Sequence, residues 1–244
     1  MSTRYSRKLS VMAIAMLSVT ASQWALAQSA DGEHDHAHGH HDHGHDHDHD
    51  HDHDHDHAHD HGHDHDEDIY AGYFDDSQVE DRSLADWQGD WQSVYPYLQD
   101  GTLDEVMAAK AADSADKTAD DYKAYYQKGY QTDVARIEID GNDVTFHDPQ
   151  GSRTGEYAYD GYEILTYEAG NRGVRYIFER QAGGEALPEF IQFSDHAIAP
   201  NDAGHYHLYW GDDRQALLEE VEHWPTYYPA DLEGQEIAEE MLAH

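Results

Sequence analysis

Short runs of alternating apolar and polar residues, separated by glycine, aspartate and asparagine, fill much of the second half of this 244-residue chain. Successive side chains of a β-strand point to opposite faces, so a period of two predicts half-buried strands, and the separating residues favour tight turns. The predicted strands are residues 134–139, 144–147, 157–159, 162–167, 174–178, 190–196 and 205–210, with turns at 140–142, 160–161 and 169–171. We therefore expect a mainly β fold, an antiparallel meander of about seven or eight strands that forms a sandwich or a barrel.

Helical patterns flank the strand-rich region. Apolar residues at steps of three and four predict one amphipathic helix over residues 84–98, which Pro96 should end or bend. The sequence Thr102-Leu103-Asp104-Glu105 is typical of a capping box that opens a second helix, and a third is predicted from Thr118 to Gly129. Beyond the strands, residues 216–221 and 237–242 predict short helices, and residues 224–229 predict a rigid turn. The aromatic residues of a linker at 69–81 are expected to dock on the domain: Tyr70, Tyr73 and Phe74.

The amino-terminal residues are typical of a secretory signal peptide. Basic residues at positions 4, 7 and 8 precede an apolar run at 9–19, and Ala25-Leu26-Ala27 is a small-x-small cleavage signal. The run is too short for a membrane anchor, and no later segment is apolar for long enough to span a bilayer. We therefore expect residues 1–27 to be removed from a secreted protein without membrane insertion.

Residues 28–68 form a tract that holds 17 of the chain's 23 histidines, most of them alternating with aspartate. The tract has no apolar residue larger than alanine, so it cannot bury enough surface to offset the entropy of ordering, and we expect disorder. Alternate residues of an extended chain share a face, so neighbouring imidazoles can reach one metal ion. A polar spacer is the alternative, but it needs no histidine at every second position. The accessory metal ligands predicted in the tract are His45, His47, His49, His51, His53, His55 and His57.

The charge and the absence of cysteine restrict the chemistry. A formal net charge of −38 repels nucleic acid and anionic membranes and attracts cations, although a salt-adapted or very soluble secreted protein would show it too. Without cysteine the chain can form neither disulfides nor a thiolate site. Metal binding must therefore use imidazole and carboxylate, which suits zinc, copper or nickel.

Three further histidines form the main candidate site. His205 and His207 share one face of a predicted strand, and a hairpin would bring His196, at the end of the preceding strand, close to them. Three converging imidazoles are the protein half of a tetrahedral zinc site with an open fourth position. We expect them to line the barrel interior; the alternative is three unrelated polar residues.

The other histidines outside the tract are weaker candidates, and we do not assign them to this group of three. His223 lies near a predicted helix end, where a capping role is as reasonable. His244, at the carboxyl terminus, is a candidate accessory ligand, and His147 has no assigned role.

Several stretches resemble one known family: WQGDWQSVYP at 87–96, DGYEILTY at 160–167, GVRY at 173–176, WPTYYP at 224–229, and the segment 193–211. The chain is similar over these stretches to the ZinT/YodA family of periplasmic zinc-binding proteins. The resemblance implies a lipocalin-like (calycin) barrel over residues 69–244, with His196, His205 and His207 as a buried zinc triad in the barrel mouth. It also implies that the tract is an unusually long form of the family's His-rich loop. Members commonly carry a cysteine pair that bridges barrel strands, so this cysteine-free barrel is expected to be held by packing alone.

The leading hypothesis is therefore a periplasmic zinc-binding protein and not an enzyme. The resemblance implies induction under zinc shortage, binding of Cd²⁺ as well as Zn²⁺, and cooperation with the substrate-binding protein of a zinc ABC importer; Cu²⁺ and Ni²⁺ are further candidate ions. One alternative is a zinc hydrolase, since three histidines and a water also form a catalytic site, but no His-Glu-x-x-His base is present. A lipocalin-type carrier of a small organic ligand is the other alternative.

Overall fold

Eight antiparallel strands close into a barrel in the computed structural model, which describes residues 67–243. The strands are β1 Gly89–Ser93, β2 Arg136–Asp140, β3 Asp143–Asp148, β4 Gly151–Thr166, β5 Arg172–Ala182, β6 Phe190–Ser194, β7 Tyr206–Gly211 and β8 Thr226–Pro229. Each strand pairs with the next along the chain, and β1 pairs with β8 to complete the ring. The predicted antiparallel barrel is confirmed. The predictions for the signal peptide, the histidine tract and His244 lie outside the described residues.

Helices pack against part of the outer surface of the barrel. They are α1 Tyr95–Asp100, α2 Asp104–Ala112, α3 Ala119–Tyr130, α4 Arg214–Leu218 and α5 Gly234–Ala243. Short 3₁₀ turns at Asp76–Gln78 and Leu84–Trp87 precede β1. The two short helices predicted after the strands correspond to α4 and α5. Within residues 67–243, no helix combines the length and the apolar character needed to cross a membrane.

Side chains of the last strands alternate between two cores. Tyr206 and Leu208 of β7 and Tyr227 of β8 point into the barrel, whereas Tyr209 and Tyr228 point outward beneath the helices. The barrel core also contains Trp87, Trp91, Ile137, Tyr176, Phe178 and Phe193. The helical core also contains Leu98, Val106, Met107, Tyr130, Trp224 and Ile237. Bulky side chains thus occupy the barrel interior.

The single helix predicted over residues 84–98 is wrong. The segment is a 3₁₀ turn, then strand β1, then helix α1. Gly89 has a φ of 134°, which interrupts helical structure, and Trp91 pairs with Ile137 on one side and with Pro229 on the other. Pro96 lies in the first turn of α1, where no intrahelical bond to its nitrogen is required. The apolar residues that suggested one helical face divide between the barrel core (Leu84, Trp87, Trp91) and the helical core (Val94, Leu98).

Two predicted turns are parts of strands. Asp160 and Gly161 lie inside β4 at an irregularity, where the pairing with β5 shifts between Tyr159 and Tyr162. Gly161 has a φ of 94°, which glycine adopts without steric strain, so the strand bends and continues. Residues 226–229 of the predicted rigid turn form β8, which closes the barrel between β1 and β7.

Helix α3 begins where predicted but ends later. The hydroxyl of Thr118 accepts a bond from the backbone N–H of Asp121 at 3.2 Å, and the Asp121 carboxylate accepts one from Thr118 in return at 2.9 Å. Gly129 lies within the last turn of α3 and does not end it. Its role is steric, because a Cβ there would lie 2.3 Å from the ring of Trp224.

The start of α2 differs in detail from the prediction. The backbone N–H and the hydroxyl of Thr102 both donate to the carboxylate of Asp100, at 2.9 and 2.7 Å. The predicted capping box therefore does not form, and α2 begins at Asp104 after Leu103.

The linker at 69–81 lies partly on the domain. Residues 67–70 are helical, and Tyr70 stacks on a histidine described below. Phe74 packs against the barrel core, whereas Tyr73 remains 51% exposed. Two of the three aromatic residues thus dock as expected.

Candidate metal centre

The antiparallel pair β6–β7 places the three candidate histidines side by side. Ser194 at the end of β6 is paired with His207 in β7, so the chain leaves one strand beside the point where it enters the next. His196 lies in the connection, and His205 immediately precedes β7. The three ring centroids are 5.7 to 6.0 Å apart, and one donor nitrogen from each ring lies within 4.8 Å of the other two.

This spacing fits a zinc ion after small side-chain rotations. Zn–N bonds of about 2.0–2.1 Å in a tetrahedron place the nitrogens roughly 3.4 Å apart. Among residues 67–243, His196, His205 and His207 are the one group of at least three His, Asp or Glu side chains that meets the geometric requirement for a metal site. The donor set is three neutral imidazoles, which suits Zn²⁺, Cu²⁺ and Ni²⁺ better than hard cations such as Mg²⁺.

The expectation that the histidines line the barrel interior is wrong. Tyr206 and Leu208 occupy the barrel core, so His207 between them faces the outer surface of the wall. His205 and His207 are half-buried and His196 is exposed, so the expected buried triad is also only partly correct. Larger apolar side chains fill the interior, and the imidazoles lie where the wall meets the helical layer.

Aromatic rings hold two of the imidazoles by stacking. His205 stacks on Tyr228 with ring centroids 5.0 Å apart and planes 10° apart, and His196 stacks on Tyr70 with a separation of 4.4 Å and an angle of 23°. Stacking uses the ring faces, so the in-plane lone pairs of the nitrogens stay available to a metal. Tyr70 also joins the site to the part of the chain that directly follows the histidine tract.

Neutral phenols surround the site. Burial raises the pKa of Tyr70 and Tyr228, and of Tyr126 and Tyr130 on α3. These tyrosines interact electrostatically with one another, and each phenolate would be disfavoured by its neighbours as well as by burial. We therefore expect them to remain protonated at neutral pH and to shape the site without adding a negative ligand.

Thr226 of β8 fixes the tautomer of His207. Its Oγ1 lies 2.7 Å from Nδ1 of His207 and donates its single proton to the carbonyl of Trp224 at 3.0 Å. Both contacts are satisfied together when Nδ1 of His207 carries hydrogen and donates to Oγ1. The lone pair is then on Nε2, which makes Nε2 the atom available to a metal.

The environment of His207 favours the neutral form. Burial lowers its pKa well below the ordinary value of 6.5, and the nearby imidazoles and the Arg175 guanidinium lower it further. His207 therefore keeps its lone pair at a pH where an exposed imidazole is protonated, which favours metal binding.

His196 has an unusual backbone conformation. Its φ is +66°, and no other non-glycine residue in the described part of the chain has a positive φ. Histidine enters this region more readily than most residues, but the conformation still costs on the order of 1 kcal/mol. The surrounding structure must therefore hold it in place.

The weaker candidates lie elsewhere. Nδ1 of His147 lies 2.9 Å from the hydroxyl of Ser152, and Nε2 lies 3.5 Å from Glu138, on strands β2–β4 across the barrel from β7. Nε2 of His223 donates to the carbonyl of Gln131, the residue that follows α3, so His223 caps that helix. Sequence reasoning did not identify Thr226, whose role depends on the pairing of β8 with β7, because its stretch was predicted to be a rigid turn.

Comparisons with known proteins identify the family. The family described as ZinT (YodA) periplasmic lipocalin-like zinc-recruitment matches residues 65–244. The chain is 64% identical over 176 residues to the probable metal-binding protein YrpE of Bacillus subtilis (strain 168), and this match covers 72% of this chain and 70% of YrpE. It is 55% identical over 180 residues to the zinc-binding protein AdcA of Streptococcus pyogenes serotype M1, and this match covers 72% of the chain but only 35% of AdcA.

A solved structure shows the same fold. The crystal structure of the Zn(II)-bound ZinT-like domain of Streptococcus pneumoniae AdcA matches with a TM-score of 0.69 and 50% identity, over 71% of this chain and 97% of that one. This agreement in fold extends along nearly the whole of that domain. The chain belongs to the ZinT (YodA) family of periplasmic lipocalin-like zinc-recruitment proteins.

Proposed function

We propose that this chain binds Zn²⁺ through His196, His205 and His207 and supports zinc uptake. One observation carries the proposal: three imidazole nitrogens converge within 4.8 Å. The zinc-binding relatives and the zinc-bound structure of a similar domain support it. Water, a carboxylate, a tract histidine or a ligand from a partner would complete the tetrahedron.

In this proposal the tract and the triad have different roles in zinc binding. The histidines at 45–57 and their neighbours offer many overlapping sites, which favour fast capture and high capacity. The triad offers one defined geometry, which favours retention. Tyr70 connects the tract to the triad, since it follows the tract closely in the chain and stacks on His196. Zinc would move from tract to triad by ligand exchange, without passing through a bare ion.

Delivery to an importer is the furthest part of the proposal. The chain spans about a third of AdcA, whose remaining length has no counterpart in the match. We propose that a separate partner, the substrate-binding protein of a zinc ABC importer, accepts the metal outside the cytoplasmic membrane after removal of residues 1–27. The open fourth position would let a ligand of the partner bind before the triad releases the ion. Cd²⁺, Cu²⁺ and Ni²⁺ suit the same imidazoles and are proposed as secondary ions.

The geometry favours a binding protein over a zinc hydrolase. A hydrolase would need a general base near the metal-bound water. No carboxylate within residues 67–243 joins the triad group, and the nearest phenols are held in their protonated form. We therefore propose that the chain is not an enzyme.

Replacing His205 by alanine tests the triad directly. We expect His205→Ala to abolish one tight equivalent of zinc in a chelator competition, because two imidazoles cannot retain the ion against the chelator. Weaker binding by the tract should persist. His147→Ala removes an imidazole from the opposite side of the barrel and should leave the tight equivalent unchanged. Equal loss in both variants, or no loss in either, would contradict the assignment.

Deletion of residues 34–65 tests whether the tract supplies extra zinc-binding capacity separate from the triad. The composition of these residues predicts few packing contacts, so the thermal unfolding of the apo protein should barely change. Bound zinc per chain should fall to about one or two in equilibrium dialysis, the number expected when only the folded site and its surroundings remain. A large loss of apo stability would mean instead that the tract packs on the barrel.

A further inference from the structure

We propose that Arg82 is a positioning residue for zinc binding: it clamps the connection between β6 and β7 so that His196 faces His205 and His207. The inference rests on the proposed zinc site. Arg82 lies in the segment between the linker and β1, far from the triad in sequence. Its effect on the metal would pass through Asp195, the residue directly before His196.

Arg82 forms a buried network of charges. Its side chain is fully buried, with Nε 2.6 Å from the Asp86 carboxylate and Nη1 2.7 Å from that of Asp195. The Asp195 side chain is itself only 2% exposed. The guanidinium of Arg82 also lies over the ring of Trp87, 4.1 Å from the centroid. Buried ion pairs often add little net stability over an apolar replacement, so stability alone is a weak explanation for this one.

The network fastens the connection at its first residue, Asp195, and again at Asn201 near its middle. Nη2 of Arg82 donates to the side-chain oxygen of Asn201 at 2.8 Å, and Asp86 accepts from the backbone N–H of Asn201 at 3.2 Å. The backbone is joined as well: the N–H of Glu80 donates to the carbonyl of Ile198 at 2.8 Å. Asp195 and Asn201 are thus held by the same guanidinium, with His196 between them.

Asp195 also defines the turn at His196. The oxygen that accepts from Arg82 accepts a second bond from the backbone N–H of Ala197, at 3.3 Å. This bond spans His196, whose φ is +66°. Without Asp195 the backbone would be free to return to a negative φ, which would redirect the Cβ of His196 away from the other two ligands. A lysine at position 82 has no planar fork and could not replace these bonds.

A double-mutant cycle in the full chain tests the inference. We expect Asp195→Ala to weaken tight zinc binding by about 10- to 100-fold in chelator competition, the range seen when a partner that orients a ligand is removed. In a His196→Ala background, whose weaker residual binding is read by direct zinc titration because it does not survive the chelator, the same change should have no further effect, since Asp195 acts only through His196. A merely structural role would weaken binding by the same factor in both backgrounds.

The controls separate this inference from the proposed site. Asp148→Ala removes another largely buried carboxylate, paired with Arg153 on the opposite side of the barrel, and should leave zinc affinity unchanged. If Asp195→Ala fails to fold by circular dichroism, Asn201→Ala, at an exposed residue, is used in the same cycle. Additive losses, or no loss in the parent background, would overturn the positioning role. If His196→Ala itself leaves tight binding intact, the triad assignment fails, whatever Arg82 does.

Discussion

At position 226 a single hydroxyl contacts both the imidazole of His207 and the carbonyl of Trp224. Thr226→Val keeps the branched shape but removes the hydroxyl, so Nδ1 of His207 loses the acceptor that fixes its tautomer. We expect a loss of about 10- to 100-fold in zinc affinity and of about 1–3 kcal/mol in the free energy of unfolding, because buried polar groups are left unpaired. Zinc titration and urea denaturation measure the two effects.

Thr226→Ser is the matched control, because it keeps the hydroxyl. It should retain nearly all of the zinc affinity. If valine and serine behave alike, the hydroxyl does not orient His207 and the tautomer assignment is wrong.

The sequence identified the triad residues because their separations along the chain are short. His205 and His207 are two apart, and a hairpin was enough to bring His196 near them. Thr226 could not be found in this way because residues 224–229 predicted a turn and not a strand beside β7. Arg82 could not be found because its contact with Asp195 joins residues 113 apart in the chain. The face on which the histidines lie was also unpredictable, because an alternating strand does not reveal which of its two faces will meet the larger core.

Among the elements, α3 provides the sharpest test of packing. Gly129→Ala in an exposed helix would stabilise by roughly 0.5–1 kcal/mol, but here the new methyl would collide with the Trp224 ring. We expect instead a loss of about 1–3 kcal/mol in urea denaturation, as for other overpacked cores. Gly184→Ala, where nothing lies within 4 Å of the added carbon, should have little effect. A stabilising Gly129→Ala would show that α3 and Trp224, in the segment before β8, are not in close contact.

Element types were predictable where one pattern acted alone. The period of two located β2, β3, β5, β6 and β7 because each runs between two environments, and Thr118 located α3 through its capping box. Residues 84–98 failed because two cores contributed apolar residues in succession, which imitated a helical stripe. Strand β8 failed because its flanking prolines are typical of turns, although proline is also tolerated at strand ends.

For the whole molecule, zinc should raise the melting temperature in a way that depends on pH. An ion at a thousandfold excess over Kd that binds only the folded state stabilises by about 4 kcal/mol, or roughly 10 °C for a domain of this size. Metal needs neutral imidazole, so this stabilisation is present above the ordinary imidazole pKa of about 6.5 and is lost as pH falls below it, and the lowered pKa of His207 extends the loss to lower pH. Binding to the tract should contribute little, because the tract is available in the unfolded state as well.

The measurement is the zinc-induced shift in melting temperature at about pH 7.5 and about pH 5, on either side of the imidazole range, with free zinc buffered equally. The apo protein is compared at each pH because the lowered pKa of His207 has its own effect on stability. As pH falls, the unfolded chain takes up a proton at His207 before the folded chain does, so the stability of the apo protein also decreases as pH falls. Equal shifts at both values would mean that histidine does not hold the metal.

The ring closes through β1 and β8, which come from opposite ends of the described chain. Contacts that join such distant segments form late, since a long loop must be closed before they contribute. Arg82, in the segment that leads into β1, holds Asp195 directly before His196, so the complete binding geometry exists only after these distant segments have met. A ligand of that final state cannot lower the barrier to folding; it slows escape from the folded state. Zinc should therefore lengthen the lifetime of the closed barrel and leave its rate of formation unchanged.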